Sequence, residues 1–305
     1  MNFPIGFGTW PLGGRAYGTV KESVAISALE QAINYGVRLF DTANIYGDGR
    51  AEKLLGKAVS GVPDALIVSK AGYIAEMRSE QDFTKDYLEA SLEGSLRRLN
   101  RSYLDIFLLH SPHRELLLDG QIFDIMNQMK KQGIVKKTGV SLRSVNDFKL
   151  ALKWSECQVI EVILNLLDQR PIDTGLLDLA GQRGIEIIAR VPLCFGILTG
   201  KYKVGSVFSV GDQRSRWTRE QIDSWIKGAE CFNFIVHSGR SLAQAAIAFC
   251  VRCKGVTYTI PGMKTPEQVH HNVVSCQPNY RLTDAELSHV RKLWSGIKEL
   301  PQKAR

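Results

Sequence analysis

Eight short apolar runs recur along the chain, at Ile5–Gly8, Val37–Phe40, Ala65–Ser69, Asp105–Leu109, Lys137–Val140, Val159–Leu164, Ile185–Ala189 and Val256–Ile260. Each spans four to six residues of mainly aliphatic or β-branched character. Such runs read as strands buried on both faces, the form that parallel strands take. Helical patterns fill the gaps. Val24, Ala28, Leu29, Ala32 and Ile33 make one apolar face that stops at Gly36, Leu88, Leu92, Leu96 and Leu99 make a second, and Ile122, Phe123, Met126 and Met129 make a third that stops at Gly133. Helix starts are expected at Thr19-x-x-Glu22, Ser241-x-x-Gln244, Thr265-Pro266-Glu267-Gln268 and Thr283-x-x-Glu286, where side chains satisfy otherwise unpaired backbone donors.

Strict alternation of strand and helix predicts a parallel sheet covered by helices through right-handed crossovers. Eight repeats predict closure into an α/β (β/α)8 TIM barrel, one domain over residues 1–305, with an additional C-terminal helix from Thr283 to Trp294. An open doubly wound sheet would need a GxGxxG turn after its first strand, and only Gly6-Phe7-Gly8 stands there. Residues 202–218 exceed the repeat and are polar with Gly and Ser, which predicts a mobile loop over a site.

Composition narrows the function. With 305 residues, 44% hydrophobic and 23% charged, the chain can bury a sizeable core. The net charge of +8 is spread along the chain, and its densest groups, Arg97, Arg98 and Arg101 and Lys130, Lys131, Lys136 and Lys137, fall where helix ends are expected. No aromatic-interleaved basic stripe accompanies them, so no nucleic-acid partner is expected. The six cysteines lie mostly in apolar segments, which points to a reducing compartment, and Cys250-x-x-Cys253 falls inside a helical pattern where packing explains it better than zinc. The start MNFPIGFGTW has no signal-peptide pattern and no apolar run approaches ~18 residues. These features predict a cytoplasmic protein without a membrane partner. The absence of heptads predicts a monomer or weak homo-oligomer.

In a TIM barrel the site forms at the carboxyl ends of the strands. Asp41 and Tyr46 follow the second run in FDTANIYG, Lys70 follows the third, and His110 follows the fourth. A free phenol ionises near pH ~10, too high for easy proton exchange at neutral pH. A lysine beside it would favour the phenolate and lower that value, while Asp41 held the ammonium and His110 oriented a substrate oxygen. Taken singly, Asp41 reads as an Asx-turn, Tyr46 as a packed ring, Lys70 as a solvated cation and His110 as a core imidazole. Their convergence at successive strand ends points to protonation of a carbonyl oxygen as hydride reaches its carbon, without a metal.

Over nearly its whole length the chain resembles the aldo-keto reductase family, in Gly6-Phe7-Gly8-Thr9-Trp10, FDTANIYG, the Lys70 of IVSKAG, the His110 of DIFLLHSP, Gly139-Val140-Ser141, VPLCFGILTGKY at 191–202, and IPGMKTPEQ at 260–268 with Asn272. The resemblance implies an NADPH-dependent oxidoreductase, with NADH an alternative donor, that converts a small-molecule aldehyde or ketone to an alcohol. It implies Asp41, Tyr46, Lys70 and His110 as a catalytic tetrad with Tyr46 the general acid. It also implies a cofactor site: Thr9, Trp10, Asp41, Ser141 and Arg190 around the nicotinamide, Pro192, Leu193, Gly196, Leu198, Gly200 and Lys201 around the pyrophosphate, and Gly262, Met263, Lys264, Gln268 and Asn272 by the adenosine 2′-phosphate. Trp10 would also wall the substrate pocket. Three positions depart from the family pattern: Leu142 where Asn is usual, Glu161 where Gln is common, and Gln268 where an arginine often stands. The first two alter the grip on the nicotinamide, and the third leaves Lys264 as the phosphate's cation.

Two other readings compete. One is a nucleotide-binding sensor or regulatory barrel with little turnover. The other is an aldolase-like barrel using a Lys70 Schiff base, which needs a neutral lysine that Asp41 opposes.

Overall fold

The structure is a computed structural model that describes residues 3–74 and 80–297. Its strands are β1 (Phe7–Gly8), β2 (Leu39–Asp41), β3 (Leu66–Ala71), β4 (Leu104–His110), β5 (Val135–Ser141), β6 (Val159–Ile163), β7 (Glu186–Arg190) and β8 (Tyr258–Ile260), each overlapping one of the apolar runs. Every strand pairs in parallel with the next, in sequence order. The two ends then meet: Gly6 N donates to Thr259 O at 2.9 Å and Gly8 N to Pro261 O at 3.0 Å, which closes the barrel. The first run keeps only two residues in strand form, and Ile5 reaches β8 through an isolated bridge.

Side chains alternate across each strand, so every second residue points into the barrel. Leu39, Val68, Ile106, Leu108, Val159, Ile188, Tyr258 and Ile260 form an apolar cluster of their own, the barrel's interior. The residues that alternate with them, Phe40, Ile67, Phe107, Ile160 and Ile187 among them, belong to the larger core under the helices. Two residues past the interior cluster, toward the carboxyl ends, the inward positions turn polar: Asp41 after Leu39, Lys70 after Val68, His110 after Leu108, Glu161 after Val159 and Arg190 after Ile188. A charged layer therefore rests on an apolar plug.

The helices start as the sequence predicts, with one exception. Ser241 and Gln244 form a reciprocal capping box. Thr283 and Glu286 also cap one another, with Glu286 N donating to Thr283 Oγ1 at 3.2 Å and Thr283 N to Glu286 Oε2 at 2.7 Å. Thr265 Oγ1 accepts from Gln268 N, but the Gln268 side chain turns to Lys264 N. The Thr19 box does not form: the helix Glu22–Asn34 begins after Lys21 without a side-chain cap, and Glu22 pairs with Lys57 instead. A further capping box, Thr218 with Gln221, starts the helix Arg219–Glu230.

The C-terminal helix Asp284–Ile297 packs outside the barrel: Trp294 Nε1 donates to Asp173 Oδ2 at 2.6 Å and Arg291 to Gln169 Oε1 at 2.8 Å. The segment 202–218 is tied down near its end. Gln213 N donates to Ala16 O at 2.7 Å, tying it as a strap to the loop after β1. The Arg214 guanidinium holds Asp212 through two hydrogen bonds and stacks on Tyr17, Tyr202 and Phe208.

Replacing Thr283 with Ala removes a realised cap and is expected to lower stability by about 1 kcal/mol. Thr19→Ala removes none and should stay within about 0.5 kcal/mol of the parent, both read by urea denaturation.

Candidate active site

The backbone after β2 runs on beside β3: Thr42 N donates to Val68 O at 2.9 Å and Asn44 N to Lys70 O at 3.3 Å. This carries the chain over the barrel mouth before it turns at Tyr46 and Gly47. Gly47 adopts φ +64°, and a Cβ there would lie 2.2 Å from Gly13 O, so this loop and the one after β1 touch backbone to backbone. Only glycine fits that contact, and the contact fixes the approach of Tyr46.

Lys70 has no exposure to solvent. Its Nζ donates to Asp41 Oδ2 at 2.5 Å and to Thr42 O at 3.0 Å, and stands 3.3 Å from Glu161 Oε2 in ion-pair contact without a hydrogen bond to that oxygen. The same ammonium lies 5.4 Å from the centroid of the Tyr46 ring. His110 faces Tyr46 edge-on with ring centroids 6.0 Å apart, and Tyr73 packs on its other side at 5.0 Å. Trp10 stands against Tyr46, Phe195 against Trp10 and Trp217 against Phe195, which makes an aromatic wall.

Burial alone would lower the pKa of Lys70, but the carboxylates of Asp41 and Glu161 overcome it and hold the group above its ordinary value. Burial pushes Asp41 up, opposed by the Lys70 ammonium. The sequence argument expects Lys70 to make the Tyr46 phenol more acidic. It does pull in that direction, yet enclosure outweighs it and the phenol ends above its ordinary value, proton retained. Burial, Lys70 and Arg190 all depress His110, which stays neutral.

Around these groups opens a cavity of about 1330 Å³, extending from Tyr46, His110 and Tyr73 past Arg190 to Lys264, Gln268 and Asn272. Most of the residues the sequence assigns to a cofactor line it: Trp10, Asp41, Ser141, Arg190, Pro192, Leu193, Gly196, Lys201, Gly262, Lys264, Gln268 and Asn272. Leu198 and Met263 instead send their side chains into the core, and Thr9 is fully buried at the barrel closure, so any contact from them with a ligand falls to backbone atoms. At the far end the helix Pro266–Val273 begins, and Lys264, held by Tyr17 O at 2.7 Å, is lowered by burial and by the nearby charges of Arg214 and Lys201. Cations crowded at a helix N-terminus make a place for an anion.

Ser141 Oγ donates to Glu161 Oε1 at 3.0 Å, Arg190 Nε lies 3.6 Å from that same oxygen, and an Arg190 amino group donates to Leu142 O at 3.2 Å. Two buried polar atoms here have no hydrogen-bond partner, the acceptor Glu161 Oε2 and the donor Arg190 Nε. An acceptor beside a donor suits a primary carboxamide, which offers N–H and C=O together. Sequence reasoning noticed both residues separately and missed their pairing. Tyr73, Phe195 and the Asp212–Arg214 clamp carry no periodic signal in the sequence.

The model of the aldo/keto reductase family matches residues 4–295. An uncharacterized oxidoreductase of Bacillus subtilis is 28% identical over 281 residues, covering 90% of this chain and 89% of its own. A probable voltage-gated potassium channel subunit beta from Oryza sativa subsp. japonica is 25% identical over 287 residues, covering 88% and 86%. Among solved structures, an aldo/keto reductase from Klebsiella pneumoniae in complex with NADP and acetate superposes with TM-score 0.73 at 26% identity, over 99% of this chain and 93% of that one. No helix among the described residues is long and apolar enough to cross a membrane.

The depressed His110 gives a pH signature. Its folded pKa lies below the unfolded value near ~6.5, so the unfolded chain binds the proton first and stability falls as pH drops below that point. Relative to His110→Gln, the parent should lose at most about 1.4 kcal/mol per pH unit below pH ~6.5 and nothing above it. Urea denaturation of both proteins on either side of that pH measures the difference, and parallel pH curves would refute a neutral buried imidazole.

Proposed function

The chain belongs to the aldo/keto reductase family, and on that premise we propose that it reduces an aldehyde or ketone to the alcohol with NADPH as hydride donor. The observation that carries this reading is the convergence of Tyr46, Lys70, Asp41 and His110 on one end of a cavity whose other end gathers cations at a helix N-terminus. The residues present suit the cofactor. Glu161 and Arg190, whose Oε2 and Nε make no hydrogen bond among the described residues, would take its carboxamide, and Lys201, Lys264 and the start of the helix Pro266–Val273 would take its phosphates. The complex of the similar Klebsiella protein with NADP supports this choice of cofactor.

A bound reduced nicotinamide would supply two electrons as hydride to the carbonyl carbon. The protein's own work is at the oxygen. Tyr46, which keeps its proton through the neutral range, donates it to the oxygen as negative charge develops there. Neutral His110 offers a ring N–H that orients the same oxygen, and its Nδ1 has no hydrogen-bond partner among the described residues. Lys70 does not reach the cavity wall. Its fixed positive charge steadies the phenolate left behind, and Asp41 fixes the ammonium. Trp10, Phe195 and Trp217 exclude water on one side. An ammonium held by two carboxylates is no nucleophile, which removes the support for a Lys70 Schiff base.

The similarity to a channel beta subunit favours a second reading, a nucleotide-binding regulatory barrel. Loss of NADPH absorbance with a panel of aldehydes and ketones, repeated with NADH, separates the two. Carbonyl-dependent oxidation is expected, and binding without turnover would favour the regulatory barrel. Tyr46→Phe should lower kcat by about 10²–10⁴-fold and leave NADPH affinity, read by fluorescence, nearly unchanged. Full turnover in that variant would overturn the assignment of Tyr46.

A further inference from the structure

The barrel mouth holds more charge than a phenol, one lysine, its carboxylate and an imidazole require. Glu161, 2% exposed, reaches from β6 across the barrel to Lys70 on β3, where it stands 3.3 Å from the ammonium and beside Asp41, whose carboxyl it helps to push up. Its other oxygen is held by Ser141 from β5. A second carboxyl this deep adds negative charge beside Asp41 that one ammonium must answer. Arg190, reaching in from β7, restores the balance: Nε is 3.6 Å from Glu161, and the guanidinium is anchored on Leu142 O. Buried ions persist where they are paired, and here two carboxyl groups and two cations lie in contact.

We propose that Glu161 and Arg190 act as one positioning pair for the reaction, Glu161 bracing Lys70 from across the barrel and Arg190 serving as the counter-charge that keeps this second carboxylate from weakening Tyr46 as an acid. The pair also ties together strands that contribute nothing else charged to the mouth, so that Lys70 is fixed from β2 and β6 at once. The groups facing Tyr46 are Asp41 from β2, Lys70 from β3, His110 from β4, Glu161 from β6 and Arg190 from β7. Of these, Glu161 makes the phenol hold its proton more tightly and Arg190 makes it hold less tightly, so their effects oppose.

The proposal rests on the reductase reading only for its meaning, and its test does not need turnover. A difluorotyrosine at position 46 ionises in a lower pH range than tyrosine, and its fluorine resonance reports that one phenol in the full-length protein. In that background Glu161→Gln, which keeps shape and removes charge, should move the titration down by about one pH unit, and Arg190→Gln should move it up by a similar amount. The double variant should return close to the parent. The alkaline limb of kcat/KM for reduction should move in the same directions.

A pair whose charges do not reach the phenol would not shift it in opposite senses. Shifts of both single variants in one direction, or no shift in either, would overturn the proposal. Should Arg190→Gln fail to fold because Glu161 is left uncompensated, recovery of folding in the double variant supports the coupling, and a double variant worse than either single refutes it. If the wild type reduces no carbonyl while the titrations still move as stated, the reductase reading fails and the pair stands.

Discussion

A lysine ammonium with no exposure to solvent is the demand around which the barrel mouth is organised. Moving such a charge out of water costs several kcal/mol even after relaxation, so it persists only where its protons and its charge are answered. Asp41, Thr42 O and Glu161 supply that answer, and each comes from a different part of the chain. Asp41 must sit in register beside Val68 so that it faces the lysine two residues on, and the pairing of β2 with β3 does this. The loop that carries Thr42 must continue along β3, and its two ladder bonds do this. Glu161 must face inward, which follows from Val159 filling the plug two residues earlier. Burying this ammonium thus needs the closed barrel, and the closed barrel aims Tyr46 and His110 at the same space.

Much of this was legible in the sequence because the information is local. A parallel strand buried on both faces announces itself as an aliphatic run, and the residue ending the run points where the barrel's chemistry happens. Asp41, Lys70 and His110 were found that way. Boundaries moved by a few residues, as with Val135–Ser141 against the expected Lys137–Val140, because Lys136 bears a charge yet belongs to the strand and pairs with Asp105. Capping boxes were read well at Ser241 and Thr283. Thr19 failed because Lys57, from a neighbouring helix, competes for the Glu22 carboxylate that the box required. No local pattern records that competition.

What was not legible depends on register between strands far apart in the chain. Glu161 and Arg190 look like two unrelated departures from a pattern until β6 and β7 are placed side by side, with Glu161 opposite Ile188 and Ile163 opposite Arg190. The anchor of the segment 202–218 is likewise non-local, since Arg214 stacks on three aromatic rings and its neighbour Gln213 binds Ala16 O. The acidity of Tyr46 was misjudged for a different reason. A nearby cation and burial act in opposite directions on a phenol, and the sequence shows the first but gives no measure of the second.

The same energetic argument bears on whether the site performs chemistry or only holds a nucleotide. A barrel that merely bound one could fill its mouth with apolar side chains of similar volume, and replacing buried ion pairs in that way is commonly neutral or stabilising by about 1–4 kcal/mol. This chain instead keeps two carboxyl groups, an ammonium and a guanidinium beneath a phenol, with Glu161 Oε2 and Arg190 Nε making no hydrogen bond among the described residues. Such an arrangement costs stability whether or not a reaction occurs, and a site that manages charge during one gives it a use. A proton leaving Tyr46 creates an anion in a place with little water, and the fixed charges around it are what would stabilise that anion without rearrangement. The burial of this charge therefore weighs toward turnover more heavily than any one of the four residues taken alone.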